Sequence, residues 1–472
     1  MILIGIDLGT TGCKSMAFSA DGSILAERYI EYEVHFSAGG TAEQDADDWW
    51  NHTAEAVRRA VLQSGAEPGE TFALSVSSQG SAFVPVGFNG TPICRAISWY
   101  DTRALKQARE MYEEFGQEAL FYRLGHPEES LVFPEILRIR EETPALYQNT
   151  WKFLMAHDYL VFRLTGKAVT DYSMAAGTMC YDVANRCWTE DLLRRYGIDA
   201  EKLPEIRNAG EPVGTILPQA EIRLGLPQGT LVSVGMQDQK ISALGAGIRP
   251  GGITVSLGTA SAIESISAQP VKDPAKAVQC HGFSASHWTL ESSVDTAGSA
   301  LKWLKRTVCP ELGYAEMDWL ADRAGTGANG VSFYPLLYRG TGDANQGRFS
   351  GIGLETTRGD LIRSVLEGVA CGIRERIEAQ KAVNAALRNT DTLSLFGGGA
   401  SSPLWCQILS DLTGMSVVIP RTKETGNLGA AICAGVGAGV FTDVWDGQKI
   451  IGEPSAVYMP DERKRAENEA LY

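Results

Sequence analysis

The sequence predicts an α/β protein of two similar domains facing each other across a cleft, and three observations lead there. Residues 2–32 read as an antiparallel meander, the part from residue 359 to 419 alternates helix with strand, and a Leu-Gly-Thr turn occurs once in each half.

The elements follow in order. Residues 2–6 are an apolar run ended by Asp7-Leu8-Gly9-Thr10-Thr11-Gly12, and a second run covers residues 15–18. Asp21-Gly22 separates that run from a third over 23–32, and Asp-Gly between apolar runs is a strong hairpin signal. A meander here argues against the strand-to-helix opening of a dinucleotide-binding fold. From Asp47 onward, Trp50, Ala54, Val57 and Val61 keep helical spacing, and residues 72–76 form a short strand. Gly359-Asp360 is expected to cap a helix that carries Leu361, Ile362, Val365, Leu366, Val369 and Ile373 on one face. Strand, helix and strand follow over 392–396, 403–412 and 416–419. The repeated turns, Leu8-Gly9-Thr10 and Leu257-Gly258-Thr259, each follow a strand, so each domain offers a Gly-Thr turn to the cleft. Glycines between Gly245 and Gly252 mark a linker or hinge. The expected division is an N-terminal domain over 1–246, a C-terminal domain over 247–440 and a last segment over 441–472.

Composition excludes several classes. A chain of 472 residues with 44% apolar and 21% charged residues is ordinary globular protein, of about two or three domains. With 42 Lys plus Arg against 57 Asp plus Glu, the charge of −15 repels nucleic acid and anionic lipid, so neither is an expected partner. The nine cysteines are scattered without a CxxC pair, which reads as reduced thiols in a cytoplasmic protein. No signal peptide and no membrane span is expected, since Asp7 interrupts the apolar start at once.

Three glycine-bearing segments could carry chemistry. Asp7 to Gly12 joins a carboxylate at a strand end to a turn with free backbone N–H groups and two hydroxyls, which suits a metal-bound polyphosphate; a hairpin turn that merely needs glycine would read the same. Gly258-Thr259 would grip the same phosphates from the other lobe. Asp238, just past an apolar strand, could accept a proton from a substrate hydroxyl or cap a helix over 240–246. Gly397-Gly398-Gly399-Ala400 lets a flat ring or phosphate approach backbone closely, or is a packing device. By contrast, the GxGxxG match at Gly325–Gly330 precedes a strand-like run and is a turn, and Gly435–Gly439 lacks a preceding strand. Walker A, HExxH and nucleophile-elbow motifs are absent from the sequence. His35, His52, His126, His281 and His287 are read as structural or surface residues.

Taken together, these residues resemble the FGGY family of carbohydrate kinases, in the superfamily of actin, hexokinase and heat-shock chaperones. The likeness runs in order through Ile4–Lys14, Glu43–Trp50, Ser98–Arg103, Asp171–Thr178, Gly235–Gln239, Val255–Thr259, Leu366–Val369, Phe396–Ala400 and Asn427–Ala431, and is greatest to its xylulose kinases. It implies two ribonuclease-H-like domains and in-line transfer of a phosphoryl group from ATP to a sugar or polyol. It implies that Asp7 and Asp238 hold Mg²⁺, that Gly9, Thr10, Thr11, Lys14, Gly258 and Thr259 meet the phosphates, and that Gly398, Gly399 and Ala400 lie against adenosine. Asp238 would be the general base, and Gln79, Ser81, Asp101, Asp238 and Gln239 would contact the sugar. A homodimer is compatible with it.

The chain departs from the pattern in two places. Xylulose kinases carry Gln-Met-His where this chain has Gln79-Gly80-Ser81, so xylulose is not expected to be its best substrate. Glu135 and Arg138 stand where the family has Lys and then Trp. A chaperone-like or actin-like ATPase would share residues 5–11, but Trp99-Tyr100-Asp101 and Asp238-Gln239 belong to sugar binding, and no separate peptide-binding domain is expected before Tyr472. A catalytically silent sugar sensor would have no use for both Asp7 and Asp238.

Overall fold

The computed structural model describes residues 1–67, 69–125, 132–337 and 347–471. His126 lies outside the described residues.

The opening meander forms as expected. β1 (Ile2–Leu8) pairs antiparallel with β2 (Gly12–Ser19), and β2 pairs with β3 (Ile24–Glu31) across a turn in which Gly22 adopts φ +87°. β1 is apolar and buried along nearly its whole length because it is central, whereas β3 is mostly exposed, with only Ala26 buried and Arg28 and Ile30 half-buried, as befits an edge strand. α1 (Ala46–Gln63) packs Trp49, Trp50, Ala54 and Val57 against this sheet; its cap is Asp45, whose Oδ1 accepts from the Asp47 N–H at 2.8 Å. β4 (Phe72–Ser78) lies parallel to β1. β5 (Pro212–Thr215) and β6 (Leu231–Gln237) complete the order β5-β6-β4-β1-β2-β3, and β6 runs straight into α2 (Asp238–Gly245).

The second half repeats this plan. β7 (Ile253–Leu257), β8 (Ser261–Ser267), β9 (Gln279–Gly282) and β10 (Trp288–Val294) form antiparallel pairs. α3 (Arg358–Val383), β11 (Thr392–Phe396), α4 (Pro403–Thr413), β12 (Ser416–Ile419), α5 (Thr425–Gly437) and β13 (Ala456–Tyr458) follow, with strand order β9-β10-β8-β7-β11-β12-β13. β11 is parallel to β7 as β4 is to β1, and each first hairpin closes over a Leu-Gly-Thr turn. The repeat in the sequence thus marks equivalent places in two sheets of one topology.

One expected cap is corrected. The N-cap of α3 is Thr357, and Asp360 is the third helical residue, its Oδ2 accepting from the Thr357 N–H and hydroxyl at 2.7 Å each. Asp suits both positions of a capping box, and only the Thr three residues earlier distinguishes them. Gly359 lies inside the helix, where a Cβ would come within 2.6 Å of the Leu320 carbonyl oxygen.

The two halves meet backbone against backbone. α5 comes from the second half yet lies on β1, β4 and β6 of the first sheet. A Cβ on Gly5 would stand 1.9 Å from the Asn427 oxygen, one on Gly245 1.9 Å from that of Thr425, and one on Gly429 2.0 Å from that of Ile241. Asn427 Nδ2 donates to the carbonyls of Gly5 (2.9 Å) and Lys14 (3.1 Å). Among the described residues no helix is long and apolar enough to cross a membrane.

Candidate functional site

The carboxyl ends of β1, β4 and β6 converge on one edge of the first sheet, the place where α/β sheets present reactive groups. Asp7 is the last but one residue of β1, Gln79 follows β4 and Asp238 follows β6. A cleft of about 230 Å³ opens there. Asp7, Gly9, Asp238, Gln239 and Ser242 line it from the first half, and Ser256, Ala262, Glu264 and Phe396 from the second.

Asp238 is the first residue of α2, and the N-cap is Gln237, whose Oε1 accepts from the N–H groups of Gln239 (3.2 Å) and Lys240 (3.4 Å). Asp238 is therefore not the cap and presents its carboxylate to the cleft. Its Oδ1 accepts from the Gln239 N–H at 2.8 Å and from the Gln237 side-chain amide. Burial, and then the negative charge of Asp7, push its pKa up to about 7. Burial also raises Asp7, although Ser77 Oγ donates to its Oδ1 at 2.6 Å and favours the charged form. Asp7 and Asp238 thus face one cleft. A hard cation with phosphate oxygens as its remaining ligands fits such a donor set, since among the described residues no third His, Cys, Asp or Glu completes an all-protein cage.

Both Gly-Thr turns flank this cleft on the hairpins of their sheets. Gly9 N–H donates to Gly12 O (2.9 Å), and Thr10 Oγ1 accepts from the Trp99 indole at 3.0 Å. Gly258 N–H donates to Ala260 O (3.0 Å), and the Thr259 carbonyl accepts from Ala297 N–H (3.1 Å). The side chains of Thr11 and Thr259 are exposed. Lys14 faces Asp7 across the hairpin but pairs with Glu424 of the second half at 2.6 Å. In the third glycine segment, Gly397 holds φ +93°, a Cβ on Gly398 would meet nothing within 4 Å, and one on Gly399 would strike Leu257 at 2.4 Å. Gly398 is open surface, Gly399 serves close packing, and Ala400 is half-buried.

The expected sugar residues divide. Asp238 and Gln239 line the cleft, while Gln79, Ser81 and Asp101 do not. Gln79 is buried with its amide donating to Gln44 Oε1 (3.0 Å). Ser81 holds φ +59° and donates to the Gly177 carbonyl (3.0 Å). Asp101 accepts from Ala42 N–H (2.9 Å) and pairs with Arg103 (2.7 Å), which also reaches Glu43 (2.9 Å), so it ties the hairpin at 35–44 to the Trp-Tyr-Asp loop. Beside them Glu135 and Arg138 form an ion pair at 2.8 Å.

Reading the sequence missed a buried ion cluster beside Asp238. Lys240 pairs with Glu291 of β10 and lies 3.6 Å from Glu264 of β8, linking the two halves. Burial opposes the Lys240 charge, but the two glutamates outweigh it and raise its pKa. Burial likewise raises Glu264. The available signal was a lysine followed at once by Ile-Ser-Ala-Leu-Gly, with a lone Glu in the strand Ser-Ala-Ile-Glu-Ser-Ile-Ser.

Known proteins are similar to this chain in sequence and fold. Residues 2–245 match the N-terminal domain of the FGGY family of carbohydrate kinases, and residues 253–438 match its C-terminal domain. A xylulose kinase from Bacillus subtilis is 31% identical over 464 residues, covering 97% of this chain and 92% of that one. A gluconokinase from the same organism is 27% identical, over 91% of this chain and 86% of its own. Among solved structures, a xylulose kinase from Rhodospirillum rubrum superimposes with a TM-score of 0.91 at 26% identity, covering 100% of this chain and 97% of that one.

Proposed function

Because the chain belongs to the FGGY family of carbohydrate kinases, and so is an ATP-dependent enzyme that phosphorylates a sugar or polyol, we propose that Asp238 is its general base and that Asp7 and Asp238 together hold Mg²⁺. The observation that carries this is that Asp7 and Asp238 face one cleft, with the Asp238 pKa pushed up to about 7 by burial and by Asp7. A base with a pKa near the working pH is both available in its charged form and strong enough to take a hydroxyl proton as the oxygen attacks. The metal would supply charge neutralisation at the β- and γ-phosphates. Gly9, Thr10 and Thr11 from one lobe and Gly258 and Thr259 from the other would hold the phosphates, so transfer depends mainly on positioning. Lys14 would have to leave Glu424 to join them. Adenosine would lie on the open face at Gly398, beside Gly399 and Ala400.

The sugar would enter over Gln239 toward Asp238, and Gln79, Ser81 and Asp101, outside the lining of this cleft, would meet only a part of the sugar that reaches past it. Gly80 and Ser81 stand where xylulose kinases carry Met and His, which favours a sugar, polyol or sugar acid other than xylulose. The lobes, 1–246 and 247–440, would close on the two substrates and exclude water, with α5 staying on the first sheet. Nine free thiols suit a reducing compartment such as the cytoplasm.

The test is an ATP-consumption screen over ketoses, aldoses, polyols and sugar acids, followed by Asp238→Asn on the best substrate. The variant should lose about 10²–10⁴-fold in kcat with the KM for ATP nearly unchanged. Near-normal turnover would remove Asp238 from the role, and a panel led tenfold by D-xylulose would overturn the specificity reading.

A further inference from the structure

The strand that delivers Asp238 is irregular. Up to Ser233 the residues of β6 pair one to one with β4, Ser233 opposite Ser75; the pairing resumes with Met236 opposite Ser77 and Gln237 opposite Ser78. Val234 and Gly235 together therefore face Val76 alone, which is a β-bulge. A Cβ on Gly235 would stand 1.8 Å from the Val76 carbonyl oxygen, so only glycine fits. The bulge changes by one residue which side chains face which side of the sheet, and so it decides where the residue that follows β6 points.

A bulge releases a backbone N–H, and a buried N–H needs an acceptor. Here the Gly235 N–H donates to Nε2 of His157 at 3.0 Å. Because a backbone N–H only donates, Nε2 carries no proton, and the ring proton sits on Nδ1, which faces Asp158 Oδ1 at 3.0 Å. Asp158 in turn accepts from the Met155 N–H (3.1 Å), and both His157 and Asp158 are fully buried. Two residues further along, the Gln237 N–H donates to Ser173 Oγ (2.9 Å), whose own hydroxyl is held by Asp171 (2.7 Å). The last stretch of backbone before Asp238 is thus gripped by two side chains from outside its own sheet.

We propose that His157 is a positioning residue for phosphoryl transfer: as hydrogen-bond acceptor for the bulged Gly235 amide it holds β6 in the register that brings Asp238 to the cleft. The proposal rests on the reading of Asp238 as the base. His157→Asn keeps a donor where Nδ1 meets Asp158 but leaves Gly235 without its acceptor, and His157→Gln restores a carbonyl oxygen near the place of Nε2.

The experiment measures kcat, both KM values and Tm for His157→Asn, His157→Gln and Asp238→Asn, and for His157→Asn combined with Asp238→Asn. Folded His157→Asn should lose about ten- to a hundredfold in kcat with the KM for ATP within twofold, His157→Gln should recover most of that loss, and the combined variant should be no slower than Asp238→Asn alone. Wild-type kcat in folded His157→Asn, or a further tenfold loss in the combined variant, overturns the positioning role. Failure of the base reading shows separately, as near-normal turnover in Asp238→Asn. Should His157→Asn fail to fold, His157→Gln carries the test: folding and turnover both near wild type support the acceptor role, and folded protein tenfold or more slower overturns it.

Discussion

At the residue scale, the decisive feature is the burial of Asp238 beside Asp7. A carboxyl whose pKa is raised on folding, as that of Asp238 is to about 7, binds its proton more tightly in the folded chain than in the unfolded one. Its contribution to stability is therefore full below the ordinary carboxylate pKa and lost as pH rises through about 7. Asp238→Asn, neutral at every pH, should raise Tm relative to wild type clearly more at pH 8 than at pH 5, when both are measured without divalent cation. An equal effect at both pH values would show that Asp238 titrates normally. Gly398 gives a second expectation. Since a Cβ there meets nothing within 4 Å, Gly398→Ala should leave Tm unchanged yet raise the KM for ATP several-fold, because the methyl group would stand where the nucleotide approaches. An unchanged KM would move adenosine elsewhere. Both aspartates were legible in the sequence because each ends an apolar strand. Glu264, Glu291 and His157 were not, because their partners lie far away in the chain and no local pattern records a contact.

At the scale of elements, local signals placed the strands well where turn chemistry was explicit, as at Asp21-Gly22, and misplaced the start of α3 because Asp fits two positions of one motif. The glycines of α2 and α5 carry information of another kind. Gly429 reads as an unremarkable helix residue, but a Cβ there would collide with the backbone oxygen of Ile241, which cannot move without its helix. Gly429→Ala should thus cost about 1–3 kcal/mol or more and visibly lower Tm, with activity falling alongside as the two halves shift apart. Thermal unfolding checks it, and a variant as stable as wild type would mean that the two helices slide freely.

At the scale of the whole molecule, the cleft draws its walls from both sheets, so its width depends on how the halves stand to each other. Binding of ATP and sugar together should compact the protein, with backbone movement between Gly247 and Gly251, both at positive φ. Small-angle scattering should show a lower radius of gyration with both ligands than with either alone, and identical curves would exclude closure. The ion cluster of Lys240 with Glu264 and Glu291 already crosses the gap, so its residues should be among the best protected from exchange in every state.

The seating of α5 on β1 has a bearing on how the chain is made. During synthesis the first sheet leaves the ribosome with α1 ready to cover one face, while the groove along Gly5 that receives Asn427 stays bare until hundreds more residues have emerged. The first domain therefore cannot reach its final form as an early, independent unit. A nascent chain halted before α5 should expose this apolar face to chaperones and proteases, and only release of the last part of the polypeptide closes it.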